Sequence, residues 1–161
     1  MLKIEEVNTS SQIKLVRELF LEYSNYLGID LEFQNFKEEI KSLPGEYASP
    51  TGCILLGYYN DNLAGCVAMR EYSNSICEMK RLFVRPKFRG KGLGRALSIE
   101  IIKCAKLKFN YTYMRLDTLA FMKEAINIYI SLGFNEIESY RYNPFEGARF
   151  FELKLELNNL Y

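Results

Sequence analysis

Apolar and polar residues alternate over residues 2–7, Leu-Lys-Ile-Glu-Glu-Val, in the period of a half-buried strand. From Ser10 or Ser11, either of which can cap a helix, Ile13, Val16, Leu19, Phe20 and Tyr23 recur at helical spacing. A second, shorter helix is predicted over residues 33–43 and ends at Pro44-Gly45. The apolar run over residues 53–59 reads as a strand, Asn60-Asp61-Asn62 as a hairpin turn and residues 63–72 as the returning partner. Another strand over residues 76–84 leads into RPKFRGKGLGR, whose three glycines and one proline exclude strand and leave a loop entering a helix. That helix, residues 96–109, carries Leu97, Ile101, Ile102, Ala105 and Leu107, and a buried strand follows at 113–116 with Asp117-Thr118 at its end. The last helix, 121–132, stops at Gly133, which suits the left-handed position just past a helix end. Residues 134–142 and 148–157 read as two final strands around an Asn143-Pro144 turn.

The order β-α-α-β-β-β-α-β-α-β-β is mixed α/β, with about six to seven strands, mostly antiparallel and parallel only around the crossover helices. The 161 residues show no repeat and no low-complexity linker, so residues 1–161 read as a single domain. With 48% hydrophobic and 25% charged residues the chain has the composition of an ordinary globular protein. Lys plus Arg number 21 and Asp plus Glu 20, and this balance argues against a dedicated nucleic-acid binder. The N-terminus lacks a basic region followed by an apolar one, and no apolar stretch approaches membrane length, so a cytoplasmic protein without a membrane partner is expected. There is no histidine, and the four cysteines are widely spaced. That inventory excludes a histidine-based triad and a Cys/His zinc site, so no metal is expected, and it casts the cysteines as reduced thiols that pack as small hydrophobes.

The segment Arg89-Gly90-Lys91-Gly92-Leu93-Gly94 lies between a strand and a helix, where free N–H groups and the positive helix end can face an anion. Arg85, Lys87, Arg89, Lys91 and Arg95 add five cations with no acid among them. The loop lacks the Gly-Lys-Ser/Thr of a nucleotide P-loop, and Leu97 stands where the dinucleotide fingerprint needs its third Gly or Ala. A phosphate cradle and a solvated turn are the two readings.

Arg89, Gly92 and Gly94 match the Gln/Arg-x-x-Gly-x-Gly/Ala pattern of acetyl-CoA loops, and here the sequence resembles the GNAT N-acetyltransferase superfamily. The strand Glu78-Met79-Lys80-Arg81-Leu82-Phe83-Val84 and the run Ala125-xxx-Tyr129-xxx-Gly133-Phe134 extend the likeness, and the order of elements carries it along nearly the whole chain. The resemblance implies acetyl-CoA as co-substrate, held by the backbone of Leu82, Phe83 and Val84 along its pantetheine arm and by Arg89, Gly90, Lys91, Gly92, Leu93, Gly94 and Arg95 around its pyrophosphate. It implies direct transfer to a primary amine, with the Leu82 N–H polarising the thioester carbonyl, Glu78 as base and Tyr129 protonating the leaving thiolate. Many members carry Asn where this chain has Met122, which removes one polar cofactor contact. Homodimers are frequent in the family.

Other readings stand beside these. Glu78 can pair with Lys80 or Arg81, and Tyr129 can pack on an apolar helix face with Ala125 and Leu132. Arg70 can grip a substrate carboxylate or bind Glu71 or Glu78. The segment YRYNPFEGAR, with Tyr142 and Asn143, either walls an acceptor pocket or belongs to the sheet, and Pro44-Gly45-Glu46-Tyr47 reads as a structural loop rather than a lid. The acceptor expected is a small molecule, the near-zero charge arguing against a polycationic protein tail. A non-catalytic acyl-CoA sensor, keeping the cradle without turnover, is the rival function.

Overall fold

A computed structural model describes residues 1–156. The chain lays down β1 (Leu2–Glu6), α1 (Ser10–Leu27), α2 (Phe36–Ser42), β2 (Cys53–Tyr59), β3 (Asn62–Ser73), β4 (Ile76–Val84), α3 (Leu93–Lys103), β5 (Tyr113–Leu119), α4 (Lys123–Ser131), β6 (Asn135–Ile137) and β7 (Ala148–Lys154). One sheet of order β1-β2-β3-β4-β5-β7-β6 results, antiparallel except where β4 meets β5. Short turns force β2, β3 and β4 to run antiparallel, whereas α3 carries the chain back across the sheet and delivers β5 parallel to β4.

The unbroken apolar run of β2 follows from burial on both faces. Cys53 and Leu55 join one core with Leu97, Ile101 and Met114, under α3 and α4. Ile54 and Leu56 join the other with Val16, Leu19 and Phe20 of α1. Each such side chain contributes ~1.5–3 kcal/mol on burial, so packing rather than helix propensity holds α1 on the sheet. The four cysteines are free thiols, three buried and Cys104 half-buried.

Several boundaries differ from the sequence expectation. The cap of α1 is Thr9, not Ser10 or Ser11, because Thr9 and Gln12 form a reciprocal capping box: the Gln12 N–H donates to Thr9 Oγ1 at 3.2 Å and the Thr9 N–H to Gln12 Oε1 at 3.1 Å. The helix expected over 33–43 is a 3-10 turn, Glu32–Gln34, followed by α2, since Asn35 takes a left-handed conformation (φ 58°) that no helix continues through. The next helix begins earlier, at Leu93, and ends in a π-helical turn, Cys104–Lys108. β5 runs to Leu119, paired with β7 along its length. α4 is shorter than 121–132, with Gly133 left-handed beyond its end as expected. β6 has three residues rather than the nine of 134–142, and Leu157 of the last expected strand lies outside the described residues. Residues 138–147 leave the sheet because their polar side chains reach across to buried carboxylates on β4 and β5.

Candidate active site between the splayed strands

β4 and β5 pair only through Ile76, Cys77 and Glu78 against Tyr113, Met114 and Arg115, and beyond these residues they part. A bulge accompanies the parting: against β3 the register jumps from Cys66↔Phe83 to Ala68↔Lys80, leaving one extra residue in β4. There Arg81 adopts φ 59°, a conformation that costs a residue with a Cβ about 1–3 kcal/mol. Its buried guanidinium holds the distortion in place, donating to both Glu39 carboxylate oxygens at 2.9 and 3.0 Å and to Gln34 Oε1 at 2.7 Å. The Phe36 and Tyr23 rings flank it, with centroids 5.2 and 5.9 Å away. α2 is thereby clamped to the bulge, and Gln34 is carried to the opening between the strands.

On one side of the opening lies a cleft of about 660 Å³, walled by Leu82, Phe83 and Val84, by the loop from Arg89 to Arg95, and by Met122, Ala125 and Ile128. Helix α3 opens on Gly92 without any side-chain cap, so its first-turn amides are left to an outside acceptor. Gly90 and Gly92 sit at φ 75° and 83°, and a Cβ on either would meet no atom within 4 Å. The loop is therefore an open concavity of N–H donors at the positive end of a helix, which fits a pyrophosphate. Arg89 bridges the mouth to α1, donating Nε to the Val84 carbonyl at 3.0 Å and lying 4.2 Å over the Tyr26 ring. Arg95 donates to Ser131 Oγ at 2.5 Å. Met122 stands at the start of α4 and offers only a thioether, which accepts from Thr118 Oγ1 at 3.6 Å.

On the other side lies a pocket of about 600 Å³ whose lining includes Phe33, Gln34, Tyr47, Arg70, Glu78 and Arg141. Glu78 is fully buried at its floor. Arg70 Nε donates to Glu78 Oε1 at 3.1 Å, Arg141 Nη1 to both carboxylate oxygens at 2.8 Å, and the Tyr140 hydroxyl to Oε2 at 2.6 Å. Burial pushes this carboxyl up, but Lys80, Arg141, Arg70 and the Tyr140 hydroxyl together outweigh it and hold the group at about 2. A carboxylate so placed is the counter-ion of the pocket's cations and has little tendency to take a proton near neutral pH. The base role that the family resemblance implies for Glu78 therefore gives way to ion pairing. Its ion-pair partners are Arg70 and Arg141 rather than the Lys80 or Arg81 of the sequence expectation, because Lys80 faces Asp117 and Arg81 is taken up by Glu39. Arg70 lies beside it as the sequence suggests, and its Nη1 also reaches Glu46 at 2.6 Å. Tyr47 is buried, with its hydroxyl donating to Glu39 at 3.0 Å, so the loop around it is a fixed wall.

A cavity of about 30 Å³ joins the two, sharing Gln34 with the pocket and Tyr23, Leu82 and Met122 with the cleft. Its lining also includes Lys80, Arg81, Asp117, Thr118 and Tyr129. Lys80 and Asp117, both nearly fully buried, face each other across the splay at 3.4 Å. Burial pushes the Lys80 ammonium down, Glu78 and Asp117 pull it back up, and it rests at about 8. Burial pushes the Tyr129 hydroxyl up, which keeps it a proton donor. Of the other proposed acceptor contacts, Asn143 donates to Asp117 Oδ2 at 3.2 Å, whereas Tyr142 is 73% exposed and rests edge-on against Phe33. Sequence reasoning reaches the segment of Tyr140 and Arg141 as one of two readings but misses their contact with Glu78, and it misses Lys80 and Asp117 as site members. The available signals are three charged residues, Glu78, Lys80 and Arg81, close together inside one strand, and an aspartate at the end of a buried run.

Residues 50–136 match the family model described as Acetyltransferase (GNAT) domain. An uncharacterized N-acetyltransferase of Dictyostelium discoideum is 33% identical, the match covering 95% of this chain and 99% of that protein. The N-acetylaspartate synthetase of Danio rerio is 34% identical over 62% of this chain and 36% of its own length. Among solved structures, an acetyltransferase of GNAT family from Staphylococcus aureus superposes with a TM-score of 0.79 at 22% identity, covering 97% of this chain and all of that one. An acetyltransferase from Salmonella typhimurium, solved with its cofactor acetyl-CoA, gives 0.71 at 17% identity over 97% and 95% of the two chains.

Proposed function

The chain belongs to the GNAT acetyltransferase family and is an acetyl-CoA-dependent N-acetyltransferase, and from that premise we propose that its acceptor is a small molecule carrying both a primary amine and a carboxylate. The observation that carries this is the Arg141 guanidinium on the wall of the acceptor-side pocket. Arg70 is engaged on both arms, by Glu78 and by Glu46, whereas Arg141 meets Glu78 alone. Arg141 engages Glu78 through Nη1 alone, so its other nitrogens have no partner among the described residues and are free to grip a carboxylate. The partial likeness to N-acetylaspartate synthetase, whose name records a small acetylated amino acid, points the same way.

In this reading residues 1–161 act as one catalytic domain, and acetyl-CoA, when bound, supplies an activated acetyl thioester in the cleft. The backbone of Leu82, Phe83 and Val84 pairs with its extended arm as an added strand, and the amides from Arg89 to Arg95 hold its phosphates. The Leu82 N–H, at the bulge, polarises the carbonyl under attack. Tyr129 gives its proton to the departing thiolate, and transfer is direct, with both substrates bound. The free buried cysteines suit a reducing cytoplasm.

The test is thiol release from acetyl-CoA with a panel of L-aspartate, glycine, 2-phenylethylamine and spermidine. Release that depends on both substrates, with the amino acids ahead of the plain amine and the polyamine, is expected. Preference for spermidine would overturn the carboxylate, and binding of acetyl-CoA with no acceptor chemistry would favour a sensor. Tyr129→Phe should lower kcat on the order of 100-fold with acetyl-CoA affinity intact, measured by steady-state kinetics beside thermal shift; an unchanged kcat removes its acid role.

A further inference from the structure

The cavity that joins cleft and pocket is where an acceptor nitrogen must meet the acetyl group, and a group able to take its proton is needed there. Tyr23, Lys80, Arg81, Asp117 and Tyr129 line it and Glu78 flanks it; Arg81 is always charged and is committed to Glu39 and Gln34. Glu78 is committed to Arg70, Arg141 and Tyr140 and stays ionised. Asp117 accepts from Asn143 on Oδ2 and faces Lys80 through Oδ1, so both of its oxygens are occupied. Tyr129 is a donor.

Lys80 remains. It is 4% exposed, and its Nζ, with as many as three N–H groups to satisfy, finds one partner among the described residues, Asp117 at a long 3.4 Å. A charged ammonium so poorly satisfied in a dry site gains little from its proton. The groups that set its charge are Glu78 and Arg81 on its own strand, Asp117 on β5 and Arg141 from residues 138–147, with the phenols of Tyr23 and Tyr129 closing the cavity from α1 and α4.

We propose that Lys80, positioned by Asp117, is the base that accepts the proton of the acceptor's ammonium, an assignment that rests on the transferase reading above. The neutral Nζ takes one proton from R–NH3⁺, giving R–NH2 and the Lys80 ammonium. The freed lone pair forms the C–N bond at the acetyl carbonyl, and the C–S bond breaks with its electron pair going to sulfur. Tyr129 protonates the sulfur and recovers a proton from the nitrogen as the amide forms, while Lys80 returns its own to solvent. Ammonium and thioester become amide, thiol and one proton. The value near 8 that burial gives Lys80 lies where a base works well at neutral to mildly alkaline pH.

The experiment is the pH profile of kcat/KM for the best acceptor of the panel and for a second of different amine basicity. In the wild type the rate should climb about tenfold per pH unit and level off near pH 8, at the same pH for both acceptors. Lys80→Arg, whose guanidinium cannot be deprotonated, should lose at least ~100-fold in kcat and lose the bend. Asp117→Asn removes a charge that raises Lys80, so its bend should move to lower pH. A bend that follows the acceptor's own amine, or persists in Lys80→Arg at undiminished rate, overturns the assignment. Should Lys80→Arg fail to fold, an unmoved bend in Asp117→Asn overturns it equally. A wild type that turns over without any bend removes Lys80 alone, whereas a wild type inactive with every amine of the panel removes the transferase reading as well.

Discussion

Gly92→Asp is expected to abolish acetyl-CoA binding in a protein that remains folded. Residue 92 opens α3 at φ 83°, and open space surrounds the position a side chain would take. Asp tolerates the left-handed region better than most residues and is a good helix cap, so the fold bears the change. The cradle does not. A carboxylate about 4 Å from a phosphate repels it by ~4 kcal/mol at an effective dielectric of 20, which is roughly a thousandfold in Kd. It also satisfies first-turn amides that the ligand would otherwise use. In the wild type, acetyl-CoA at one hundred times its Kd adds about 2.7 kcal/mol and raises the melting temperature by roughly 5 to 11 °C. At the same concentration the variant would be a tenth saturated at most and show no measurable shift. A full shift in the variant would mean that the loop amides do not carry the phosphates.

Glu78→Gln is expected to be the most destabilising polar substitution at the site. It keeps the shape but leaves Arg70, Arg141 and Lys80 with Asp117 as the remaining buried anion, and breaking a buried pair of this kind costs about 3–5 kcal/mol. For a chain of this size that lowers the melting temperature by roughly 6–20 °C at pH 7. The same charge governs acid stability. The carboxyl titrates near 2 when folded against 4.5 ordinarily, so its contribution is complete above pH 4.5 and is lost as pH falls toward 2. The difference amounts to on the order of 3 kcal/mol. Urea titrations at pH 7 and pH 3 should show the wild type losing more stability than the variant between them. Equal losses would mean that Glu78 is not the counter-ion of this cluster.

What the sequence makes legible is what lies close together along it. The β2 run, the Asn60–Asn62 turn and the loop from Arg89 to Gly94 are contiguous, and their chemistry follows from neighbours within a few residues. The α1 cap was legible too, since Thr9-Ser-Ser-Gln12 is a capping box in plain view, but the serines inside it look equally eligible. Residues 138–147 defeat the pattern. Tyr140 and Tyr142 alternate with Arg141 as strand residues do, yet Tyr140 and Arg141 have their partners more than sixty positions away, at Glu78 and Tyr72. Lys80 is invisible for the opposite reason: a lysine in a strand normally faces water, and its burial against Asp117 depends on two parallel strands parting just there.

The site is thus assembled from parts with different pedigrees. The phosphate-holding part of the cleft is written in one short stretch of β4, loop and α3, with α1 and α4 adding only its outer walls. The acceptor pocket is a committee of α2, β3, β4 and residues 138–147, bolted together through Glu39, Glu78 and Asp117. Selection can therefore rewrite the second without disturbing the first. A lineage keeps its acetyl donor as an heirloom while trading acceptors through changes near Arg141, and paralogues of this chain should diverge in chemistry along residues 138–147 long before they diverge around Gly92.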